Sequence, residues 1–209
     1  MRELSEVCLY CFTPGKLAMD RDPIELVKAQ IRGGADVIQL REKEMSKRER
    51  LELGLKIREL TRDSGVIFMV NDDLDLALIL DADGLHLGQE DIPIRYARSF
   101  MKERLIGVST HSEGEVRQAL DEGADYIGFG PVFQTTTKDA PDPVVGIEML
   151  ERLRGLAIPY VAIGGIKEEN LRQVVDAGCR RVAIISDILL AEDIEAKCKR
   201  LKALLTETG

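Results

Sequence analysis

The sequence contains no run of about 18 apolar residues, which is the length that a membrane-spanning helix requires. It also lacks low-complexity tracts and long blocks of like charge, so no linker or charged tail is predicted. The first six residues are too polar for a signal peptide. We therefore expect a cytoplasmic protein that does not associate with a membrane.

Positive charge is in the minority, with 29 Lys and Arg against 37 Asp and Glu and a net charge of −8. This balance argues against a general nucleic-acid surface and against a polybasic patch for anionic lipids. A basic pocket for one anionic metabolite is still compatible with it, because net charge does not describe a single cleft.

Histidine and cysteine are scarce, and so are the motifs that depend on them. Neither His86 nor His111 stands beside a Ser or Cys arrangement that would support nucleophilic catalysis, so a packing or hydrogen-bonding role is predicted for each. Cys8 and Cys11 have the C-x-x-C spacing of redox and zinc sites, but on a strand residues three apart point to opposite faces. We predict reduced, structural thiols. No Walker loop or G-x-G-x-x-G nucleotide fingerprint is present.

The sequence does contain a repeat in which Ala-Asp precedes an apolar strand that ends in polar residues. Copies begin at Ala35, Ala82 and Ala124, about 40 to 50 residues apart, which suits two strand–helix units per interval. Before the last predicted strand, Cys179-Arg180 replaces the expected copy. The repeat indicates a parallel α/β protein.

Strands and helices are predicted to alternate along the whole chain. The strands are 7–12, 36–41, 66–70, 83–87, 105–109, 125–129, 159–163 and 181–185. The helices are 23–32, 46–64, 73–80, 93–102, 112–122, 146–153, 168–177 and 194–206. Eight alternations predict an α/β fold of the (β/α)8 TIM-barrel class, as one domain over residues 1–209. The active site is then expected at the C-terminal rim of the strands.

The tip of the second strand carries two cations and an amide. Gln39, Arg41 and Lys43 alternate along the chain, so they share one face while Leu40 packs on the other. Such a cluster suits a phosphate or diphosphate substrate. The alternative is a solvated helix start in which Glu42 and its neighbour Glu44 pair with these cations.

Carboxylates follow the third and fourth strands. Asp72 and Asp73 come after one, and Asp91 comes after the other. Because no histidine cluster accompanies them, a hard cation such as Mg²⁺, which uses one or two carboxylates, is the predicted ligand. Helix capping by the same side chains is an alternative that can coexist with metal binding.

Two further rim segments suit phosphate binding and closure. Gly164 and Gly165 follow the seventh strand, and Ile185 and Ser186 lie at the end of the eighth, where barrels often bind phosphate on backbone N–H groups. The longest loop, 134–145, is polar and Thr-rich, and we interpret it as a cover over the barrel mouth.

Taken in order, these segments resemble the thiamine-phosphate synthase family. The matching stretches are QLREK at 39–43, VNDD at 70–73, HLGQED at 86–91, GVS at 107–109, GFGPVF at 128–133, TTTK at 135–138 and IGGI at 163–166. The resemblance implies an enzyme, a transferase that joins an aminopyrimidine methyl diphosphate to a (carboxy)thiazole ethyl phosphate. The products are thiamine phosphate and pyrophosphate, formed with Mg²⁺ as cofactor.

The resemblance also implies a role for particular residues. The pyrimidine diphosphate would be held by Gln39, Leu40, Arg41, Glu42, Lys43, Asn71, Ser109 and Lys138, of which Arg41, Lys43, Ser109 and Lys138 are the catalytic set. Mg²⁺ would be held by Asp72 and Asp91. The thiazole phosphate would be held by Thr135, Thr136, Thr137, Gly165, Ile185 and Ser186. The chain departs from the family pattern at Ser186-Asp187-Ile188, where Ser-Ala-Ile is common.

Three other functions use related residues. Thiazole tautomerases share the barrel but tend to lose the second metal carboxylate and carry a histidine after strand 6, where this chain has Asp91 and Pro131. A non-catalytic protein that binds thiamine precursors is a second alternative. Sugar-phosphate epimerases, the third, would need neither Arg41 nor the Mg²⁺ pair. The sequence leaves the oligomeric state open, a homo-oligomer included.

Overall fold

A computed structural model describes residues 4–135 and 143–207 as a closed barrel of parallel strands, each paired with the next and the last paired with the first. The strands are β1 Leu9–Phe12, β2 Val37–Leu40, β3 Ile67–Asn71, β4 Gly84–Leu87, β5 Leu105–Thr110, β6 Tyr126–Phe129, β7 Tyr160–Ile163 and β8 Val182–Ala183. The predicted TIM-barrel class is therefore confirmed.

Helices follow the strands on the outside of the barrel. They are α1 Pro23–Arg32, α2 Lys47–Ser64, α3 Leu74–Ile79, α4 Ile94–Met101, α5 Glu113–Asp121, α6 Ile147–Arg152, α7 Leu171–Asp176, α8 Ser186–Leu189 and α9 Ile194–Thr206. Short 3-10 turns cover Leu4–Glu6 and Gly15–Ala18. In the described ranges no helix combines the length and the apolar character needed to cross a membrane.

The predicted elements agree with the structure except near the last strand. The strand predicted at 181–185 contains only Val182–Ala183, because the chain turns at Ile185 into α8, a single helical turn that the sequence pattern did not separate. The helix predicted at 168–177 starts later, at Leu171. The other boundaries agree with the prediction to within two residues.

Two hydrophobic layers stabilise the barrel. Inside it, Tyr10, Phe12, Met69 and Tyr126 belong to one buried cluster. Between the strands and the helices, Leu40 and its outward-facing equivalents form a second, larger cluster. Strands that are apolar on both faces are expected in a parallel sheet that is covered by helices.

The Ala-Asp repeat stabilises the N-terminal end of the barrel. Each aspartate accepts a hydrogen bond from the backbone of the preceding strand: Asp36 from the N–H of Cys8 and Leu9, Asp83 from Phe68, and Asp125 from Ile106. Each aspartate also pairs with a cation, namely Lys202, Arg58 and Arg98 respectively. The repeat therefore stabilises the fold at the end opposite the expected active site.

Candidate active site

A cavity of about 730 Å³ opens at the carboxyl ends of the strands. It is lined by the following residues that the sequence assigned to substrates or metal: Gln39, Arg41, Lys43, Asn71, Asp72, Asp91, Ser109, Thr135, Gly165, Ile185 and Ser186. Barrel closure brings these residues together from seven different strands, β2 to β8, and the loops that follow them.

Two residues of the range assigned to the diphosphate do not line this cavity. Leu40 packs in the outer hydrophobic layer, because the strand alternation turns it away from the barrel interior. Glu42 is buried, and its Oε1 accepts a hydrogen bond from the backbone N–H of Gly15 at 3.0 Å. The structure thus gives Glu42 a loop-anchoring contact. Thr136, Thr137 and Lys138 lie outside the described residues.

The cations at the end of β2 face the cavity without acidic partners. Within the described ranges, neither Arg41 nor Lys43 forms an ion pair within 4.0 Å. The direct ion pairs that the alternative expects with Glu42 and Glu44 are not formed in the described ranges, because Glu42 bonds to Gly15 and Glu44 pairs with Lys16 at 2.7 Å. Burial lowers the pKa of Arg41, although the charges of Asp72 and Glu42 oppose that shift. Such cations can bind an anionic ligand.

The carboxylates of Asp72 and Asp91 lie next to each other at the same rim. Burial raises the pKa of Asp72 to about 6, with the hydrogen bond and the charge of Asp91 acting in the same direction and Lys43 and Arg41 opposing them. Asp91 Oδ2 accepts a hydrogen bond from the backbone N–H of Gly88 at 2.6 Å. Asp72 has a φ of 61°, the left-handed region that non-glycine residues rarely adopt. Two like charges held together in this way favour a cation between them.

The donor set fits Mg²⁺ better than a transition metal. In the described part of the chain no group of three or more His, Cys, Asp or Glu side chains forms a metal cluster, whereas Mg²⁺ binds through one or two carboxylates and completes its shell with water and phosphate oxygens. The capping interpretation is not supported for Asp73, which precedes α3 but makes no capping hydrogen bond and pairs with Arg50 instead.

The loops after β7 and β8 contain positions at which a ligand can come close to the backbone. Gly164 and Gly165 have φ of 95° and 65°, and a Cβ on Gly165 would meet the carbonyl oxygen of Gln134. Ser186 begins α8 and lines the cavity. Asp187, the departure from the family pattern, pairs with Lys197 at 3.3 Å and accepts a hydrogen bond from the N–H of Glu168. Its charge is therefore compensated outside the cavity.

Comparisons with known proteins give the same assignment. The family model described as thiamine monophosphate synthase matches residues 9–188. The chain belongs to this family. A thiamine-phosphate synthase of Pelotomaculum thermopropionicum is 47% identical over 206 residues, with 97% of this chain and 94% of the relative covered. A second, from Caldicellulosiruptor saccharolyticus, is 45% identical, with 95% and 91% covered.

A solved structure agrees with these relatives. The thiamine phosphate pyrophosphorylase from Pyrococcus furiosus superposes with a TM-score of 0.87 at 38% identity, with 95% of each chain covered. Phosphorylated small molecules are the substrates that the thiamine monophosphate synthase family implies, and the unpaired cations of the cavity suit such ligands.

Sequence reasoning missed three residues at the bottom of this thiamine monophosphate synthase cavity. Tyr10, His86 and Tyr126 line it and form a continuous hydrogen-bonded chain with Gln39 and Ser109. A hydrogen-bonding role was predicted for His86, but not its partners. Tyr10 and Tyr126 are 116 residues apart, and the available signal was only that both occupy inward-facing strand positions.

Proposed function

We propose that this chain forms thiamine phosphate from an aminopyrimidine methyl diphosphate and a thiazole ethyl phosphate, within one catalytic domain. The observation that carries the proposal is the juxtaposition, in a chain of this family, of unpaired Arg41 and Lys43 with the Asp72–Asp91 carboxylates at one cavity rim. In the reaction, the bond between the pyrimidine methylene carbon and the diphosphate oxygen breaks, and its electron pair leaves with pyrophosphate. The thiazole nitrogen then donates its lone pair to the methylene carbon.

Arg41 and Lys43 bind the diphosphate and stabilise the negative charge that develops on it as the carbon–oxygen bond breaks. Because both cations lack acidic partners among the described residues, their charge is available to the leaving group without the loss of an existing ion pair. Lys138 is assigned to the same task by the family resemblance.

Asp72 and Asp91 would hold Mg²⁺ on the diphosphate. When bound, the ion supplies charge neutralisation for the leaving group. The two carboxylates serve that purpose only when both are ionised, and burial, followed by the hydrogen bond and charge of Asp91, raises the pKa of Asp72 and so opposes its ionisation.

The thiazole phosphate binds on the other side of the cavity. Gly165, Ile185 and Ser186 line its wall, and backbone N–H groups and the Ser186 hydroxyl would be the donors for a phosphate there. The Thr135–Thr137 segment would hold the same phosphate, and the loop 134–145 would exclude water from the methylene cation. The carboxylated thiazole is one of the two candidate substrates, and with it the carboxylate would leave as CO₂.

The test is an incubation of the purified chain with both phosphorylated precursors and Mg²⁺, followed by oxidation of thiamine phosphate to its fluorescent product. We expect product that disappears when the metal is chelated. Tight binding of a precursor without product would instead favour a non-catalytic binding protein. Isomerisation of the thiazole carboxylate without coupling would favour a tautomerase.

We also propose that the enzyme works in the cytoplasm. The four cysteines, Cys8, Cys11, Cys179 and Cys198, are free, which is typical of a reducing compartment.

A further inference from the structure

A chain of five polar side chains crosses the barrel interior beneath the cavity. Gln39 Nε2 donates a hydrogen bond to the Tyr10 hydroxyl at 2.7 Å, and the hydroxyls of Tyr10 and Tyr126 lie 3.1 Å apart. The Tyr126 hydroxyl lies 2.8 Å from His86 Nδ1, and His86 Nε2 lies 3.0 Å from Ser109 Oγ. Both ends, Gln39 and Ser109, line the cavity.

The available donors and acceptors set the direction of each hydrogen bond along this chain of side chains. The Tyr10 oxygen accepts from Gln39, and the only partner found for its proton in the described residues is the Tyr126 oxygen. A buried hydroxyl proton without an acceptor is costly, so Tyr10 donates to Tyr126. By the same argument Tyr126 donates to Nδ1 of His86.

The imidazole of His86 determines the direction of the hydrogen bond to Ser109. A neutral histidine whose Nδ1 accepts a hydrogen bond carries its proton on Nε2, so Nε2 donates to Ser109 Oγ. The Ser109 proton is then directed away from His86, towards the cavity. Burial supports neutral side chains along the chain, since it lowers the pKa of His86 to about 4 and raises the pKa of both tyrosines.

A glycine in a neighbouring strand leaves room for this arrangement. A Cβ on Gly107 would overlap the ring of Tyr126, and a Cβ on Gly128 would lie 3.4 Å from His86 Cε1. The Tyr126 and His86 rings have their centroids 5.6 Å apart. Gly107 therefore provides space that the Tyr126 ring and its hydrogen bonds require, whereas a side chain at Gly128 would only come into contact with His86.

We propose that Tyr10, Tyr126 and His86 are positioning residues that fix the hydrogen-bond polarity of the cavity, with Ser109 as a donor and Gln39 Oε1 as an acceptor. Reversal of the Gln39 amide would require every hydrogen bond in the chain to reverse, so the two ends always offer opposite polarity. The preferred ligand is a heteroaromatic ring that offers a donor to Gln39 and an acceptor to Ser109. That this ring is an aminopyrimidine rests on the proposed function.

The tautomer of His86 tests the proposal without turnover. In ¹⁵N-histidine-labelled protein, the resonances of His86 are identified by their loss in His86→Gln. We expect Nε2 to be protonated and Nδ1 to be unprotonated near neutral pH. A proton on Nδ1 in the wild type would overturn the proposal, whether or not the chain makes thiamine phosphate.

Kinetics supply the second arm of the test. Tyr126→Phe removes the donor to His86, and we expect the KM for the pyrimidine diphosphate to rise about tenfold with a smaller change in kcat, because the chain acts on ring binding. Tyr10→Phe should change KM in the same direction. The matched control is Tyr160→Phe, since the Tyr160 hydroxyl is buried outside the cavity and donates to Leu150 O at 3.4 Å.

The outcomes separate the two proposals. Equal KM values for Tyr126→Phe and Tyr160→Phe, in an enzyme that turns over, would overturn the positioning role alone. If neither the wild type nor any variant makes thiamine phosphate, the proposed function is overturned. Protonation of His86 Nε2 in the wild type would then still support the direction of the hydrogen bonds from Gln39 to Ser109.

Discussion

Arg41 shows how a single cation can remain available to a ligand when the nearby carboxylates do not form an ion pair with it. Its guanidinium lines the cavity, its backbone N–H is held by Thr13 Oγ1 at 2.9 Å, and no carboxylate in the described ranges pairs with it. Glu42, the next residue, is occupied by Gly15. A partly buried cation in this situation is stabilised when an anionic substrate binds.

Replacement of Arg41 by alanine tests that argument. We expect Arg41→Ala to lower kcat/KM for the pyrimidine diphosphate on the order of 10²-fold, because one group that stabilises the leaving charge is lost. Steady-state kinetics with varied diphosphate provide the measurement. Arg48→Ala, at an exposed arginine of α2, is the matched control and should retain wild-type kinetics. Normal turnover by Arg41→Ala would remove the diphosphate role from β2.

At the scale of secondary-structure elements, each aspartate of the Ala-Asp repeat joins a helix–strand junction to the neighbouring strand by a hydrogen bond. Asp83 illustrates it: the carboxylate accepts from the N–H of Phe68 at the start of β3 and pairs with Arg58 of α2 at 3.0 Å. Both side chains are largely buried, with 11% and 14% of their surface exposed. Removal of Asp83 leaves the buried Arg58 with only the more distant, exposed Asp81 carboxylate at 3.8 Å to compensate its charge.

This geometry predicts that the variant Asp83→Ala is less stable than the wild type. We expect it to lower the free energy of unfolding by about 2–4 kcal/mol, since a buried charge and a backbone N–H lose their acceptor. Urea unfolding followed by circular dichroism measures the change. For Asp176→Ala, whose pair with Arg172 is more than half exposed, a loss of about 0.5 kcal/mol or less is expected. Equal losses in the two variants would contradict the role assigned to the repeat.

The same elements show what the sequence could predict and what it could not. Apolar runs and Ala-Asp copies located β1 to β7, because burial on both faces leaves a local signal. The single turn of α8 has no such signal, since four residues are too few for a helical period. The chain from Tyr10 to Ser109 was also missed, because contacts across a closed barrel depend on register between strands that are distant in sequence.

At the scale of the whole molecule, barrel closure concentrates unlike charges at one rim of an acidic protein. The pairing of β1 with β8 completes the ring that brings the cations of β2 and the carboxylates after β3 and β4 around one cavity. The net charge of −8 gives no indication of this local arrangement.

Protonation of Asp72 makes the effect of Mg²⁺ on stability depend on pH. Its pKa is raised from 3.8 to about 6 in the folded, metal-free chain. The folded state therefore keeps a proton that the unfolded state loses, and this contribution to stability disappears as pH rises through that window. A cation bound to the two carboxylates stabilises the folded state only above this pH window, where Asp72 is ionised. We expect Mg²⁺ with pyrophosphate to raise Tm more at about pH 7.5 than at about pH 5.

Differential scanning fluorimetry at the two pH values provides the check, with Asp72→Asn as the variant that cannot titrate. The Tm gain in Asp72→Asn should be smaller than in the wild type at the higher pH. An equal gain at both pH values in the wild type would contradict the assignment of this carboxylate.

The most direct test of the account is the rate of thiamine phosphate formation as a function of Mg²⁺ concentration in the wild type, Asp72→Asn and Asp75→Asn. Asp75 is the matched control, because its carboxylate is more than half exposed and pairs with Lys47. We predict product that depends on Mg²⁺ in the wild type and in Asp75→Asn, and at least a tenfold higher Mg²⁺ requirement, on the order expected for loss of a metal contact, in Asp72→Asn. Product formation that is independent of metal, or the same Mg²⁺ requirement in all three proteins, would contradict the account.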